Sequence, residues 1–290
     1  MEKVTYLHLN GGSDIQPFGH GWSIRFERTY FSGGEVHITL NDLHLLTGVK
    51  EVVIVCGGGH RHDPMEILQA SDILRRNGIK WISLYMPYFY YSRQDRATTP
   101  SSSNALKLQC QILAIADFDT IWTHDLHSPV ALQYFSASLE DIKPYDFLLN
   151  VWCRGDYEFI IAPDAGAAKK IVNITSKVGI HSSRVLTASK YRDPATGSLG
   201  SPQMSCDDIY KLSHSKCLVF DDICDGGYTF IQLAKYINNT KEANCRLDLA
   251  VTHGIFSKGT QILLSEYGKI FTSDSFDPTY GTEIFKHETE

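Results

Sequence analysis

The chain has 290 residues, 43% hydrophobic and 21% charged, with a formal net charge of -6. A chain of this length builds its core without disulfide staples, in one large or two medium domains. The acidic balance excludes a general nucleic-acid surface, so an anionic substrate must be held by local Lys, Arg, backbone amides or Mg2+. The seven Cys are scattered and form no C-x-x-C pair, so neither a zinc site nor a disulfide framework is indicated. Cys56, Cys110 and Cys217 sit in apolar runs and read as reduced, buried thiols. No apolar run reaches membrane-spanning length, and MEKVTYLHLNGG does not read as a signal peptide. The expectation is a cytoplasmic protein with no membrane and no nucleic-acid partner.

In chain order, residues 4–9 alternate and end at Asn10-Gly11-Gly12, a strand and a turn. Ile24 to Tyr30 and Val36 to Leu40 read as short strands around Phe31-Ser32-Gly33-Gly34-Glu35. Glu51 to Cys56 is an apolar strand running into Gly57-Gly58-Gly59-His60. The next helix has Pro64 near its first turn and Met65, Ile67, Leu68, Ile73 and Leu74 on its inner face, and Asn77-Gly78 stops it. Trp81 to Met86 is the following strand, which completes a βαβ unit and implies a parallel sheet. A polar, aromatic loop spans Pro87 to Pro100. Ser101 to Ser103 is expected to cap a helix over 104–116. Thr120 to Thr123 is a strand ending at His124-Asp125-Leu126-His127, and another helix starts near Pro129.

The pattern restarts around Lys143-Pro144-Tyr145, which predicts two domains, 1–143 and 144–290. In the second, Phe159 to Ala162 is a strand ending in Pro163-Asp164-Ala165-Gly166, and Ala167 to Ser176 is a helix. Arg184 to Thr187 leads to Lys190-Tyr191-Arg192-Asp193-Pro194-Ala195-Thr196-Gly197, which reads as a mobile polar segment. Leu247 to Thr252 is the last core strand. Both halves are therefore α/β units with loops at the carboxyl ends of parallel strands, where ligands bind in open sheets.

The stretch Cys217 to Phe230 organises the second half. Its apolar run reads as a buried strand ending at Asp221-Asp222. Asp225, Gly226-Gly227 and Tyr228-Thr229 follow, then a helix with Phe230, Leu233, Ala234 and Ile237 inward. The turn amides and the helix N-terminus can hold a phosphate. The carboxylates can take ribose hydroxyls or water around Mg2+. The plainer alternative is a βα turn with a solvated acidic edge.

Six stretches, in order, resemble the ribose-phosphate pyrophosphokinases, the PRPP synthetases. Tyr85 to Arg96 is similar to that family's P-Y-F-x-Y-x-R-Q-D-R loop, and Phe31 to Glu35 to its F-S-D-G-E. Asp125-Leu126-His127 resembles D-L-H, and Ala162 to Gly166 resembles S-P-D-x-G. Asp221 to Thr229 resembles D-D-x-x-D-T-G-G-T, and Thr252 to Ser257 resembles T-H-P-I-F-S. Together the matches cover about residues 30 to 260.

The resemblance implies two phosphoribosyltransferase-type (type I) domains with the active site between them and near a subunit interface, in a homodimer or larger homo-oligomer. It implies transfer of the terminal diphosphate of ATP to the anomeric hydroxyl of ribose 5-phosphate with Mg2+, releasing AMP. Lys190 and Arg192 fall where the family has its catalytic basic loop. His127 becomes the candidate to touch ATP phosphate or a metal-bound oxygen, and Asp164 a candidate Mg2+ partner. Arg93, Gln94, Asp95 and Arg96 would bind ATP, and Phe31 and Glu35 would reach the adenine from a neighbouring subunit. Asp221 and Asp222 would hold the ribose hydroxyls, and Asp225, Gly226, Gly227, Tyr228 and Thr229 the 5-phosphate. Read without the family, Lys190 and Arg192 are equally a solvated loop, and His127 and His124 are hydrogen-bonded structural residues. Most of Tyr88 to Tyr91 reads as packing.

The departures matter. Gly33 stands where the family has Asp, which removes one adenine-reading carboxylate. The loop after Arg96 lacks the family's basic residues, so regulation by phosphate and nucleoside diphosphate is expected to differ. T-G-G-T has become Gly226-Gly227-Tyr228-Thr229. That loses a phosphate-binding hydroxyl and adds a ring able to stack on a base, which suits an acceptor such as ADP-ribose in NAD salvage; the equal alternative is that Tyr228 points away and the pocket takes ribose 5-phosphate. The alternatives are a phosphoribosyltransferase that consumes PRPP and a non-catalytic regulatory homologue.

Overall fold

The computed structural model describes residues 4–9, 16–57, 63–135, 139–192, 199–277 and 284–285; the side chains of 190–192, 199–201 and 284–285 lie outside that description. Contacts divide the chain into two compact units, Met1–Ile142 and Lys143–Glu290.

The first unit contains β1 (Thr5–His8), β2 (Trp22–Ile24), β3 (Phe26–Tyr30), β4 (Val36–Leu40), β5 (Glu51–Val55), α1 (Pro64–Arg76), β6 (Trp81–Tyr85), α2 (Ala105–Ile115), β7 (Ile121–His124) and β8 (Leu139–Ile142). Six strands form one sheet in the order β2-β1-β5-β6-β7-β8, and every pairing in it is parallel. Val52 to Val55 and Ile82 to Tyr85 are all buried, which is why these strands read as continuous apolar runs rather than alternating ones. Helices α1 and α2 bury Ile67, Leu74, Leu106 and Leu113 in the same core as Leu7, Ile54 and Leu84.

Three sequence expectations change here. The run from Ile24 to Tyr30 is not one strand. It breaks at Arg25, with β2 pairing parallel to β1 and β3 pairing antiparallel to β4. Arg25 turns outward to pair with Asp42 at 3.0 Å. Met65 is 52% exposed, because the buried face of α1 runs through Ile67, Ala70, Ser71 and Leu74, and position 65 falls off that stripe. The cap of α2 is Asn104, whose Oδ1 accepts from Lys107 N at 3.0 Å, not one of the preceding serines. The turn Asn10 to Gly12 and residues 58–60 lie outside the described residues.

The hairpin β3–β4 is fastened to α1. The Gln69 side chain accepts from Ile38 N at 3.0 Å and donates to Val36 O at 2.8 Å. Arg28 Nη2 bridges Glu66 Oε2 at 2.9 Å and Leu9 O at 2.8 Å.

The second unit contains α3 (Tyr145–Gly155), β9 (Phe159–Ala162), α4 (Ala165–Lys177), β10 (Val185–Thr187), β11 (Ser189–Arg192), β12 (Leu199–Gln203), α5 (Cys206–Lys211), β13 (Lys216–Cys224), α6 (Tyr228–Asn238), β14 (Arg246–Gly254), α7 (Gln261–Leu264), β15 (Lys269–Thr272) and β16 (Ile284–Phe285). Its sheet order is β10-β9-β13-β14-β15-β16, parallel except for the β15–β16 pair. Leu218 and Phe220 face α3 and α4, while Cys217 and Val219 face α5 and α6, so β13 is covered on both sides.

Two further expectations are corrected. Strand β13 does not stop at Asp221 but runs on to Cys224. Pairing with β14 continues through Asp221↔Val251, Ile223↔His253 and Cys224↔Gly254, so the two carboxylates lie within the strand. The backbone of Lys190 and Arg192 is also strand rather than loop, with Lys190↔Pro202 and Arg192↔Leu199 in register. Residues 193–198 lie outside the described residues.

Candidate active site

In the first unit the site residues cluster where β6 and β7 end. These strands are neighbours in register, Tyr85↔Trp122, so their carboxyl-end loops are side by side. His124 N donates to Pro87 O at 3.0 Å and Thr123 Oγ1 donates to it at 3.3 Å. The loop then turns through Tyr91, at φ 65°, and α2 holds its far end. Leu106 N donates to Gln94 O and Asn104 Nδ2 to Asp95 O, both at 3.1 Å. Ser128 Oγ donates to Asp95 Oδ2 at 2.8 Å, so the residue after His127 holds the Arg93 to Arg96 loop. Arg93, Gln94, Arg96 and His127 are exposed, with Arg96 Nε 4.0 Å from Asp95 Oδ1. Two guanidiniums and an imidazole on one braced loop pair are chemically suited to hold an anion.

Packing explains most of the aromatic cluster. Phe89 is buried against Phe135 with ring centroids 6.4 Å apart, and Tyr88 meets Tyr90 edge-on at 5.2 Å. His124 Nε2 is 2.9 Å from Tyr85 Oη. Phe31 and Glu35 occupy the tip of the β3–β4 hairpin. Phe31 N donates to Glu35 O at 2.9 Å, Gly34 turns at φ 95°, and the Phe31 ring is 56% exposed. A Cβ on Gly33 would meet Glu35 Oε2 at 2.5 Å, so the Glu35 carboxylate folds over the place where the family has an Asp.

In the second unit the carboxyl ends of β9, β13 and β14 carry the rest. Asp164 caps α4, accepting from Ala167 N at 2.9 Å. Asp221 Oδ1 accepts from Asp222 N at 2.9 Å. Lys170 Nζ donates to Asp222 Oδ2, also at 2.9 Å. Burial, then the charges of Asp222 and Asp164, push the Asp221 carboxyl up to about 7, against the opposing pull of Lys170. Cys224 is buried and its thiol is pushed up to about 12, which rules it out as a nucleophile at neutral pH.

The turn after β13 is built for close approach. Gly227 sits at φ 75° and caps α6 without a side chain, so the first amides of that helix have no capping group over them. Ser257 Oγ donates to Asp225 Oδ1 at 2.6 Å, tying the β13 and β14 loops together. Ile255 N and Phe256 N both donate to Cys224 O, at 2.9 and 3.1 Å. Tyr228 opens α6 and is 68% exposed.

Sequence reasoning missed Ser128, Asn104 and Lys170. Ser128 had a signal, since a serine directly before Pro129 is a cap pattern, and it does accept from Val130 N at 3.3 Å. Lys170 had none, because its partner is 52 residues away in sequence. The metal candidates His127 and Asp164 belong to different units. Among the described residues no three His, Cys, Asp or Glu side chains form a metal-holding group. The side chains of Lys190 and Arg192 lie outside the described residues.

These features define a two-unit α/β protein with two mostly parallel sheets and polar loops at the carboxyl ends of parallel strands. Residues 23–116 match the model for the N-terminal domain of ribose phosphate pyrophosphokinase. The ribose-phosphate pyrophosphokinase of Pyrococcus abyssi is 26% identical over 290 residues, covering 98% of this chain and 95% of that one. The enzyme of the same name from Mycoplasmopsis pulmonis is 28% identical over 244 residues, covering 81% and 71%. The crystal structure of phosphoribosylpyrophosphate synthetase from Mycobacterium smegmatis shares the fold, with a TM-score of 0.73 at 17% identity over 94% of this chain and 89% of that one. The chain is similar to ribose-phosphate pyrophosphokinases over nearly its whole length.

Proposed function

We propose that this protein transfers the terminal diphosphate of ATP to the anomeric hydroxyl of a ribose phosphate and releases AMP. The observation that carries this reading is the acceptor turn: paired carboxylates Asp221 and Asp222, a left-handed Gly227, and the uncapped start of α6 directly after them. Carboxylates suit sugar hydroxyls and helix amides suit a phosphate, so Asp225, Gly226, Gly227, Tyr228 and Thr229 take the phosphate end.

On the donor side, Arg93, Gln94, Asp95 and Arg96 bind the ATP phosphates with His127 beside them. A second copy of the chain brings Phe31 and Glu35 to the adenine, which makes the enzyme a homo-oligomer. Lys190 and Arg192 offset charge that builds on the phosphoryl oxygens during in-line attack at the β-phosphorus. The anomeric oxygen bonds that phosphorus, and the bond to the α-phosphate bridging oxygen breaks, with AMP as the leaving group. The crowded carboxylates that raise Asp221 fit a cation arriving on phosphates, since Mg2+ needs only one or two protein ligands besides them. Asp164 in the second unit and His127 in the first are each a candidate to meet it. Bound Mg2+ supplies neutralisation of phosphoryl charge. Among the described residues no helix is long and apolar enough to cross a membrane.

The braced Arg93 to Arg96 loop favours this reading over a transferase that consumes PRPP, which has no use for an ATP site. The basic pair Lys190 and Arg192 disfavours a purely regulatory homologue. A second acceptor, ADP-ribose, is favoured by one observation. Tyr228 presents an exposed ring at the mouth of the turn, and the Lys258 stem passes beside Gly226, 3.6 Å from a Cβ built there. An acceptor phosphate bearing a further nucleotide gains a ring to stack on and a nearby cation.

The test is AMP release from ATP and Mg2+, with ribose 5-phosphate and ADP-ribose compared side by side. AMP formed with ribose 5-phosphate alone makes Tyr228 a tolerated change. AMP formed with ADP-ribose alone assigns the altered turn to the extended acceptor. AMP with neither rejects the proposal.

A further inference from the structure

The motifs leave the half-buried cation Lys170 unexplained. Lys170 lies in the second turn of α4, next to Ala167, Ile171 and Ile174, which pack against Leu218 and Phe220 of β13. Its side chain is only 23% exposed, and it reaches Asp222, whose side chain is 8% exposed, at 2.9 Å. A long amine at the edge of an apolar helix face loses hydration and rotamer freedom. A buried ion pair is weak evidence of stabilisation, since a well-packed apolar pair is often as stable. The geometry offers another use for it.

Asp221 and Asp222 are consecutive in one strand, and each carboxylate has a fixed partner. Asp221 Oδ1 is held by the Asp222 amide, and Asp222 Oδ2 is held by Lys170. Asp164, at the start of the same helix as Lys170, adds a third negative charge that acts on Asp221. Lys170 is therefore a cation set beside the carboxylates that the acceptor assignment gives to the sugar.

We infer that Lys170 is a positioning residue for the sugar end of the acceptor: its ammonium aims the Asp222 carboxylate at a ribose hydroxyl and selects sugar phosphates over bare phosphate. This rests on the acceptor assignment above. It is tested by binding rather than by turnover, so it can fail while AMP release is observed, and AMP release can fail while it holds.

The experiment is calorimetric binding of ribose 5-phosphate, ADP-ribose and inorganic phosphate to the full chain and to Lys170→Met and Lys170→Arg. Thermal melting is followed in parallel. Lys170→Met should weaken the sugar phosphate that wild type binds by about tenfold or more, with phosphate binding within twofold of wild type. Lys170→Arg should recover most of the loss. Equal weakening of sugar phosphate and phosphate, with a lowered melting temperature, would mean a merely structural pair and overturn the inference. Unchanged sugar-phosphate binding in Lys170→Met, or no sugar-phosphate binding by wild type, would also overturn it. If Lys170→Met does not fold, Lys170→Arg decides: wild-type selectivity for sugar phosphate over phosphate supports the inference, and selectivity lost from a folded protein rejects it.

Discussion

Ser128 Oγ donates to Asp95 Oδ2 at 2.8 Å while accepting from Val130 N at 3.3 Å. One hydroxyl thus joins the start of the short helical turn after β7 to the loop after β6. It sits directly after His127 and closes the gap between the two donor-side motifs. A hydrogen bond to a charged group contributes about 1.5–3 kcal/mol. Ser128→Ala is therefore expected to raise the KM for ATP several-fold, leave the acceptor KM unchanged, and lower unfolding stability by roughly 1–2 kcal/mol. Steady-state kinetics with each substrate varied in turn checks the split.

The acceptor turn depends on Gly227. At φ 75° it is in the left-handed region, and an added Cβ would lie 3.1 Å from Leu263 Cδ2. Both strain and crowding oppose a side chain there. Gly227→Ala should cost about 1–2 kcal/mol in denaturant unfolding and weaken the acceptor more than ATP.

Asp221 gives the free protein a pH dependence of unusual sign. Its carboxyl rises on folding from an ordinary 3.8 to about 7, chiefly through burial and the adjacent Asp222. Between those values the folded chain binds more protons than the unfolded one, so stability from this group is full below about pH 4. It is lost as pH rises through 7. Asp221→Asn should flatten the slope of stability between pH 4 and 7 and make the ligand-free protein more stable than wild type at pH 8, by on the order of 1 kcal/mol. Chemical unfolding across that range measures it.

The β3–β4 hairpin separates binding from folding. Phe31 is exposed at the tip, so Phe31→Ala should change stability by no more than about 0.5 kcal/mol while raising the KM for ATP. Gln69 holds the hairpin through two backbone bonds, so Gln69→Ala should lower stability by roughly 1–3 kcal/mol as well as weakening ATP. Comparing the two variants by melting and kinetics tells the tip's function from its support.

The elements most legible in the sequence were those set by local patterning. The apolar strands 51–55, 81–85 and 159–162 and the helix whose Phe230, Leu233, Ala234 and Ile237 turn inward are all present. The motifs pointed to the Arg93 to Arg96 loop and the Gly226 to Thr229 turn, and both lie beyond the carboxyl ends of parallel strands. What the sequence hid was decided by partners far along the chain. Strand β13 runs past its carboxylates because β14 continues to pair with it, and polarity at Asp221 and Asp222 masked that. The chain breaks at Arg25 because its two sides join different sheets, which no periodicity within seven residues records. The Lys170–Asp222 pair spans 52 residues and has no local signature. Strand β11 was masked by charge, since Lys190 and Arg192 lie in a two-stranded ribbon, where no apolar alternation is required.

The most direct test of the central claim follows the β-phosphorus. ATP labelled at the β-phosphate is incubated with Mg2+, the protein, and ribose 5-phosphate or ADP-ribose, and the products are separated. Transfer of the intact terminal diphosphate places the label on the acceptor and leaves AMP unlabelled, and Lys190→Ala should reduce that transfer by about a hundredfold or more. Label found in ADP or only in free diphosphate, with none on either acceptor, would contradict the account.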